Sequence, residues 1–242
     1  MKKYFFLLFF IFLSLNPAYA DLSALLQKAG LTSKSTLNDS KIGQGIKEAL
    51  KVGIDKTIQQ TGKKDGYLAN PQIKIPVPDK LKLMDSLLRK VGFGPKMDEF
   101  VLSMNRAAES ASPYAKDVFL ESIASMSVDD AQQIWKGSDT AATDFFKAKS
   151  SPELIKIYKP LISKSMAKYQ VTQKYQDLIS KYNSLPLAQN FKAPEIEQYV
   201  AGKSLDGLFI VLGQQEKSIR KDPAARVTAL LKEVFGTQKE TV

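Results

Sequence analysis

Residues 95–112, PKMDEFVLSMNRAAESAS, read as one short helix that carries an apolar seam beside a polar cluster. Pro95 suits the first helical position, where its missing N–H is not needed, and Ser112 before Pro113 marks a stop and a fresh start. Met97, Phe100, Val101, Met104, Ala108 and Ala111 follow three-and-four spacing, which predicts a buried face. Asp98, Leu102, Asn105 and Glu109 form the neighbouring stripe, and Arg106 lies within one turn of Glu109. Carboxylate, amide and guanidinium can meet there, and a buried group of that kind needs every partner satisfied. Asn105, Arg106, Glu109 and Asp98 are therefore the candidate polar cluster.

Upstream, Leu81, Met84, Leu87, Leu88 and Val91 mark a helix that Asp79 can cap, and Gly92-Phe93-Gly94 turns the chain into the central helix. Residues 63–79, KKDGYLANPQIKIPVPD, break the helical pattern. Asp65-Gly66 and Asn70-Pro71 are turn signals, and Ile73, Ile75 and Val77 alternate with Gln72, Lys74 and Pro76. The prolines permit an edge strand or a polyproline-like segment, wrapped over helices with its isoleucines inward. A ligand-covering lid is one role such a segment can take. Before it, a long helix starts near Asn38 to Ser40 and stops at Gly62, and a shorter one stops at Gly30. Gly43 and Gly45 are close-packing positions, because no strand precedes them and the third glycine of a dinucleotide fingerprint is absent.

Downstream, Pro113 opens a helix with Val118, Phe119, Leu120, Ile123 and Met126 apolar. Ser127 and Asp130 have capping-box spacing, and Asp139 to Lys147 reads as one more helix. Ser151-Pro152 opens the longest helical pattern, running toward Tyr182, and Pro160 should kink or divide it. Lys156, Lys159, Lys164, Lys168, Lys174 and Lys181 read as solvated, with Tyr158, Tyr169, Tyr175 and Tyr182 packed between them. A polar stretch at 183–193 is the candidate hinge. After it come a short helix from Pro194 to Ala201, an apolar one from Leu205 to Arg220, and a last helix capped by Asp222-Pro223 and carrying Ala225, Val227, Leu230, Leu231, Val234 and Phe235. Together these predict an all-α multi-helix bundle of about ten helices with one extended, proline-containing segment at 63–79.

The first twenty residues follow another logic. Lys2 and Lys3, an apolar run from Tyr4 to Leu15, and Ala18-Tyr19-Ala20 have the order of a secretory signal peptide with its cleavage site. The run is short of the roughly 20 residues a bilayer span needs. The expected mature chain is a single all-helical domain over 21–242, periplasmic and without a transmembrane span. Its net charge is the chain's +10 less the two leader lysines, or +8. A basic exported protein meets anionic lipid headgroups and acidic envelope polymers, while nucleic acid is a poor partner on that side of the membrane.

Cysteine and histidine are both absent, which excludes thiol nucleophiles, Ser-His-Asp and Cys-His triads, histidine bases and the common zinc sites. No metal or cofactor is expected. Carboxylates remain, with Asp129, Asp130, Asp139 and Asp144 as acids that could converge on the central cluster and act as general acid and base on a glycosidic bond. The competing reading makes Arg106 and Glu109 a structural ion pair between neighbouring elements. Arg220 and Arg226, with Lys221 between them, offer an anion-binding candidate at the start of the last helix, although Asp222 as a cap would occupy the same amides.

DGYLAN with IKIPVP, MNRAAESASPYA, DDAQQIWKGSDTAATDFF over 129–146, YVAGKSLDGLF and IRKDPAARVTALLKEVFG together resemble the bacterial domain of unknown function family 4197. The resemblance spans nearly the whole expected mature chain and implies an exported helical protein of Gram-negative-type bacteria. It brings no activity, substrate or site residue. The leading expectation from the residues is a non-enzymatic binding or scaffold protein that contacts an acidic envelope component or a protein partner. The alternatives are a carboxylate-dependent hydrolase of an envelope glycan and a carrier with an apolar cavity under the 63–79 segment.

Overall fold

Asn38 fixes the first boundary: its side chain accepts the Lys41 N–H at 2.8 Å, and the helix it caps, α1, runs Asp39–Thr61 to a stop at Gly62. In the computed structural model the described residues are 38–186, 188 and 192–236. The expected leader, the helix before Gly30 and residues 187 and 189–191 of the candidate hinge lie outside them. The helices that follow are α2 (Lys82–Leu88), α3 (Gly94–Ala111), α4 (Ala115–Ala124), α5 (Val128–Trp135), α6 (Ala141–Lys168), α7 (Val171–Asn183), α8 (Ile196–Lys221) and α9 (Ala229–Gly236). Short 3₁₀ turns join several of them, and the described residues contain no strand. The fold is all-α.

Most local signals act as the spacing predicts. Pro95 lies in the first turn of α3, and the chain leaves that helix at Ser112 through a 3₁₀ turn into α4. Ser127 and Asp130 form the reciprocal capping box at 3.1 and 3.0 Å. Gly92 takes φ 88°, a left-handed turn that glycine adopts without penalty, and reverses the chain between α2 and α3.

Four boundaries differ. The 139–147 and 151–182 patterns are not separate at Ser151, because α6 runs unbroken through Pro152 and Pro160. Both prolines are exposed, as are Ala148 and Lys156 four residues before each, so each lost helical bond lies between exposed residues. The break falls instead at Gln170, whose φ of 55° reverses the chain into α7. Residues 194–201 and 205–220 are one helix, α8, since nothing between them stops it. Asp79 does not cap α2. It begins a 3₁₀ turn and pairs with Lys82 at 2.7 Å. Asp222 accepts the Ala224 N–H and caps a 3₁₀ turn, while α9 starts only at Ala229, leaving Val227 exposed before it.

α8 is the packing centre. It meets α6 most extensively and α1 next, and α1 also covers α5 while α3 covers α6. Leu205, Leu208, Val211, Leu212 and Ile219 of α8 and Ile46, Leu50 and Ile54 of α1 are buried. Each such side chain stabilises by about 1.5–3 kcal/mol on burial. Phe119, Phe146 and Phe209 join α4, α6 and α8 through ring contacts of 5.4 to 6.1 Å. The tyrosines of 151–182 pack inward at 158, 175 and 182, and Lys156, Lys164 and Lys168 are exposed.

Close approach depends on two helical glycines. A Cβ on Gly45 would stand 2.6 Å from the Val234 side chain, and one on Gly207 would stand 2.6 Å from the Tyr67 ring. Gly202, also in α8, has nothing within 4 Å of that position. Overpacking costs about 1–3 kcal/mol and helix propensity returns about 1 kcal/mol. Gly207→Ala should therefore lower the unfolding free energy and Gly202→Ala raise it by up to about 1 kcal/mol, as read from denaturant titrations. Equal effects of one sign would contradict this packing.

Candidate functional site

The polar stripe of α3 faces the extended segment 62–78, hereafter the strap. The strap begins where α1 ends, and Gly66 lets it double back: a Cβ there would stand 2.5 Å from the carbonyl oxygens of Gln60 and Thr61. Asp65 before it takes φ 65°. Asn70 accepts the N–H groups of Ile73 and Lys74 on its carbonyl and that of Gln72 on its side chain, which turns the chain again. Ile73 and Ile75 are buried, while Gln72, Lys74 and Pro76 are exposed. This is the inward alternation the sequence predicts, without a neighbouring strand to satisfy the backbone.

Asn105 takes that neighbour's place. Its Oδ1 accepts the Ile75 N–H at 2.9 Å, and its Nδ2 donates to the Ile75 carbonyl at 2.9 Å and to the Val101 carbonyl at 2.8 Å. One turn on, Glu109 Oε1 accepts the N–H groups of Tyr67 and Leu68, both at 3.1 Å. Glu109 Oε2 accepts from Arg106 Nη1 at 2.6 Å, and Arg106 Nη2 reaches Asp65 at 2.8 Å. Glu109, and after it Asp65, raise the guanidinium's affinity for its proton. Asn105, Arg106 and Glu109 thus meet as expected, and what they hold is strap main chain. Asp98 does not join them. It lies on the surface against Arg89 at 2.7 Å, which lowers its carboxyl below the usual range.

α8 completes the grip. Tyr67 is fully buried and its hydroxyl donates to the Ser204 carbonyl at 2.7 Å. Burial pushes the Tyr67 and Tyr158 phenols up, so both stay neutral. Tyr199 donates to the Pro76 carbonyl at 3.0 Å, and Gln214 to Gln72 at 2.6 Å. The strap is therefore tied to two helices along its length.

A second buried carboxylate, Glu216 of α8, was not singled out by the sequence. It accepts the Ala142 and Thr143 N–H groups at 2.9 and 2.8 Å and the Thr143 hydroxyl at 2.8 Å, capping α6 from another helix. Arg220 pairs with it at 3.0 Å, donates to the Ile134 carbonyl at the end of α5, and lies over the Phe235 ring. Arg226 donates to the Ile219 and Arg220 carbonyls, closing the end of α8. Both arginines of the anion-binding candidate are thus engaged with carboxylate or backbone oxygens, and Lys221 pairs with Asp139 at 2.6 Å. The one available signal for Glu216 was its i,i+4 spacing to Arg220 on an apolar helix.

The remaining acids disperse. Asp130 serves the capping box and Lys149, Asp144 accepts from Thr140, and Asp129 is exposed. Among the described residues no three acids gather in a metal-binding geometry, and no helix is long and apolar enough to cross a membrane. Open surface grooves of about 320 Å³ beside Phe145 and Leu154 and about 310 Å³ beside Phe93 and Leu178 lie apart from the polar cluster.

Residues 36–236 match the family described as Protein of unknown function (DUF4197). The comparisons with curated proteins and with solved structures give no match.

Removing the Asn105 amide leaves one buried N–H and one buried carbonyl of Ile75 without partners, at about 1–3 kcal/mol each. Asn105→Ala should therefore cost about 2–4 kcal/mol in urea unfolding, and a loss below about 0.5 kcal/mol would contradict the assignment. The backbone bond from Ser127 holds the Asp130 carboxyl below its ordinary 3.8. That contribution is complete above 3.8 and disappears as pH falls through the lower folded value. Asp130→Asn should flatten the acid side of a plot of melting temperature against pH from about pH 5 downward.

Proposed function

We propose that this chain, which belongs to the DUF4197 family, is an exported, non-enzymatic helical protein that binds an acidic component of the cell envelope. The carrying observation is the division of labour among its charges. Glu109 and Glu216, the buried carboxylates among the described residues, accept from backbone N–H groups, arginines and the Thr143 hydroxyl. A general acid or base needs a lone pair or proton directed at substrate, and these oxygens are directed at the fold. The excess of cations is carried outward: the chain has 35 Lys and Arg against 25 Asp and Glu, and Lys63, Lys64, Lys74, Lys80, Lys90, Lys156, Lys164, Lys168 and Lys203 are exposed. Such a surface attracts polyanions over a Debye length of about 8 Å at physiological salt.

The reading predicts binding of the chain from Asp21 to a soluble polyanion, dextran sulfate, with affinity falling about tenfold or more from about 50 to about 200 mM salt. Absence of binding at the lower salt would overturn it. So would a turnover reaction on an envelope glycan that Glu109→Gln abolishes while leaving the melting temperature within a few degrees.

A further inference from the structure

α2 and the turn after it are apolar on both sides. Leu81, Met84 and Leu88 point into the bundle at 2% exposure or less. On the outer side Leu83 and Val91 are each half exposed, with Leu87 partly covered between them at one-turn spacing. Leu102 of neighbouring α3 is exposed as well. A short surface helix normally turns its polar residues outward, so aliphatic side chains on the water side mark an unpartnered face.

The charges around that face are mainly positive. Residues 74–99 contain Lys74, Lys80, Lys82, Arg89, Lys90 and Lys96 against Asp79, Asp85, Asp98 and Glu99, an excess of two positive charges in 26 residues. Arg89 pairs with Asp85 and Asp98, and Lys96 with Glu99. Lys74, Lys80 and Lys90 are exposed and make no ion pair among the described residues. Lys82 pairs only with Asp79, at 71% and 89% side-chain exposure, a contact that an anionic surface displaces at little cost. The tip itself is Val91-Gly92, where the chain reverses with Gly92 at φ 88° and both residues exposed.

Resting on the reading above, we propose that α2 and the 89–93 turn are the docking face, and that the acidic component is the headgroup layer of an anionic lipid bilayer. Leu83, Leu87 and Val91 enter the boundary between headgroups and acyl chains, while the flanking ammonium groups stay at phosphate level on their flexible stems. The choice of a bilayer over a protein follows from the residue types. Protein interfaces centre on Trp, Tyr and Arg and are poor in Lys, whereas this face has exposed aliphatic tips ringed mainly by lysine. A lipid surface meets such a ring as a smeared negative layer and needs no fixed partner for each cation.

The test is co-sedimentation of the chain from Asp21 with phosphatidylcholine vesicles that contain or lack phosphatidylglycerol. Binding should appear only with the anionic lipid. The double variant Leu83→Ser/Val91→Ser and, separately, the charge reversal Lys90→Glu should each lower the vesicle partition coefficient by about tenfold or more, with melting temperatures unchanged because the positions are exposed. Since the chain has no cysteine, an environment-sensitive dye on Val91→Cys reports insertion directly, and its emission should shift to the blue on anionic vesicles. Binding of dextran sulfate without binding of anionic vesicles would overturn the bilayer assignment and leave the broader reading standing. Binding of neither would overturn both. Vesicle binding that the two surface variants leave at the wild-type level, with no dye shift, would overturn the choice of face.

Discussion

The side-chain amide of Asn105 does for Ile75 what a neighbouring strand would do, accepting its N–H and donating to its carbonyl. These bonds are among several that hold the strap against the bundle. An extended segment among helices has no ladder of its own, and each buried peptide group left unpaired costs about as much as a lost hydrogen bond. Asn105 resolves this from inside a helix, where asparagine is otherwise a mediocre residue. The strap in turn carries Tyr67 into the space that Gly207 leaves open in α8, where Glu109 accepts its N–H and the Ser204 carbonyl its hydroxyl.

Glu109 and Glu216 repeat the device with charge. Each carboxylate gathers two consecutive backbone N–H groups that lack another partner, and each is balanced by an arginine three or four residues along its own helix. One fastens the strap to α3 and the other fastens the start of α6 to α8. With no disulfide available, these charge-assisted bonds supply directional constraint that apolar packing does not. Replacing one partner alone would leave a buried charge uncompensated, which is more costly than never having had the pair.

Much of this was legible in the chain itself. The apolar period of α1, α3 and α8, the Ser127 capping box and the inward isoleucines of 63–79 all follow from local spacing, and the family resemblance agrees with the match over 36–236. The grouping of Asn105, Arg106 and Glu109 followed from helical geometry. Their partners did not, because Asp65, Tyr67, Leu68 and Ile75 lie 30 to 42 residues away in sequence and offer backbone atoms that every residue possesses. Pro160 does not divide α6, where its surroundings are exposed, and exposure belongs to the tertiary structure. Glu216 escaped notice because a helix start on another element has no mark in its own sequence.

The central claim is that the polar cluster exists to fix the strap as part of the core. Native-state hydrogen exchange on the Tyr67, Leu68 and Ile75 amides tests it most directly. If the clamp operates as described, these three amides exchange only through global unfolding, with the same opening free energy as Leu50 of α1 and Leu208 of α8. If they exchange through a local opening several kcal/mol cheaper than that of the helices, the strap is a loosely held flap and the account is wrong.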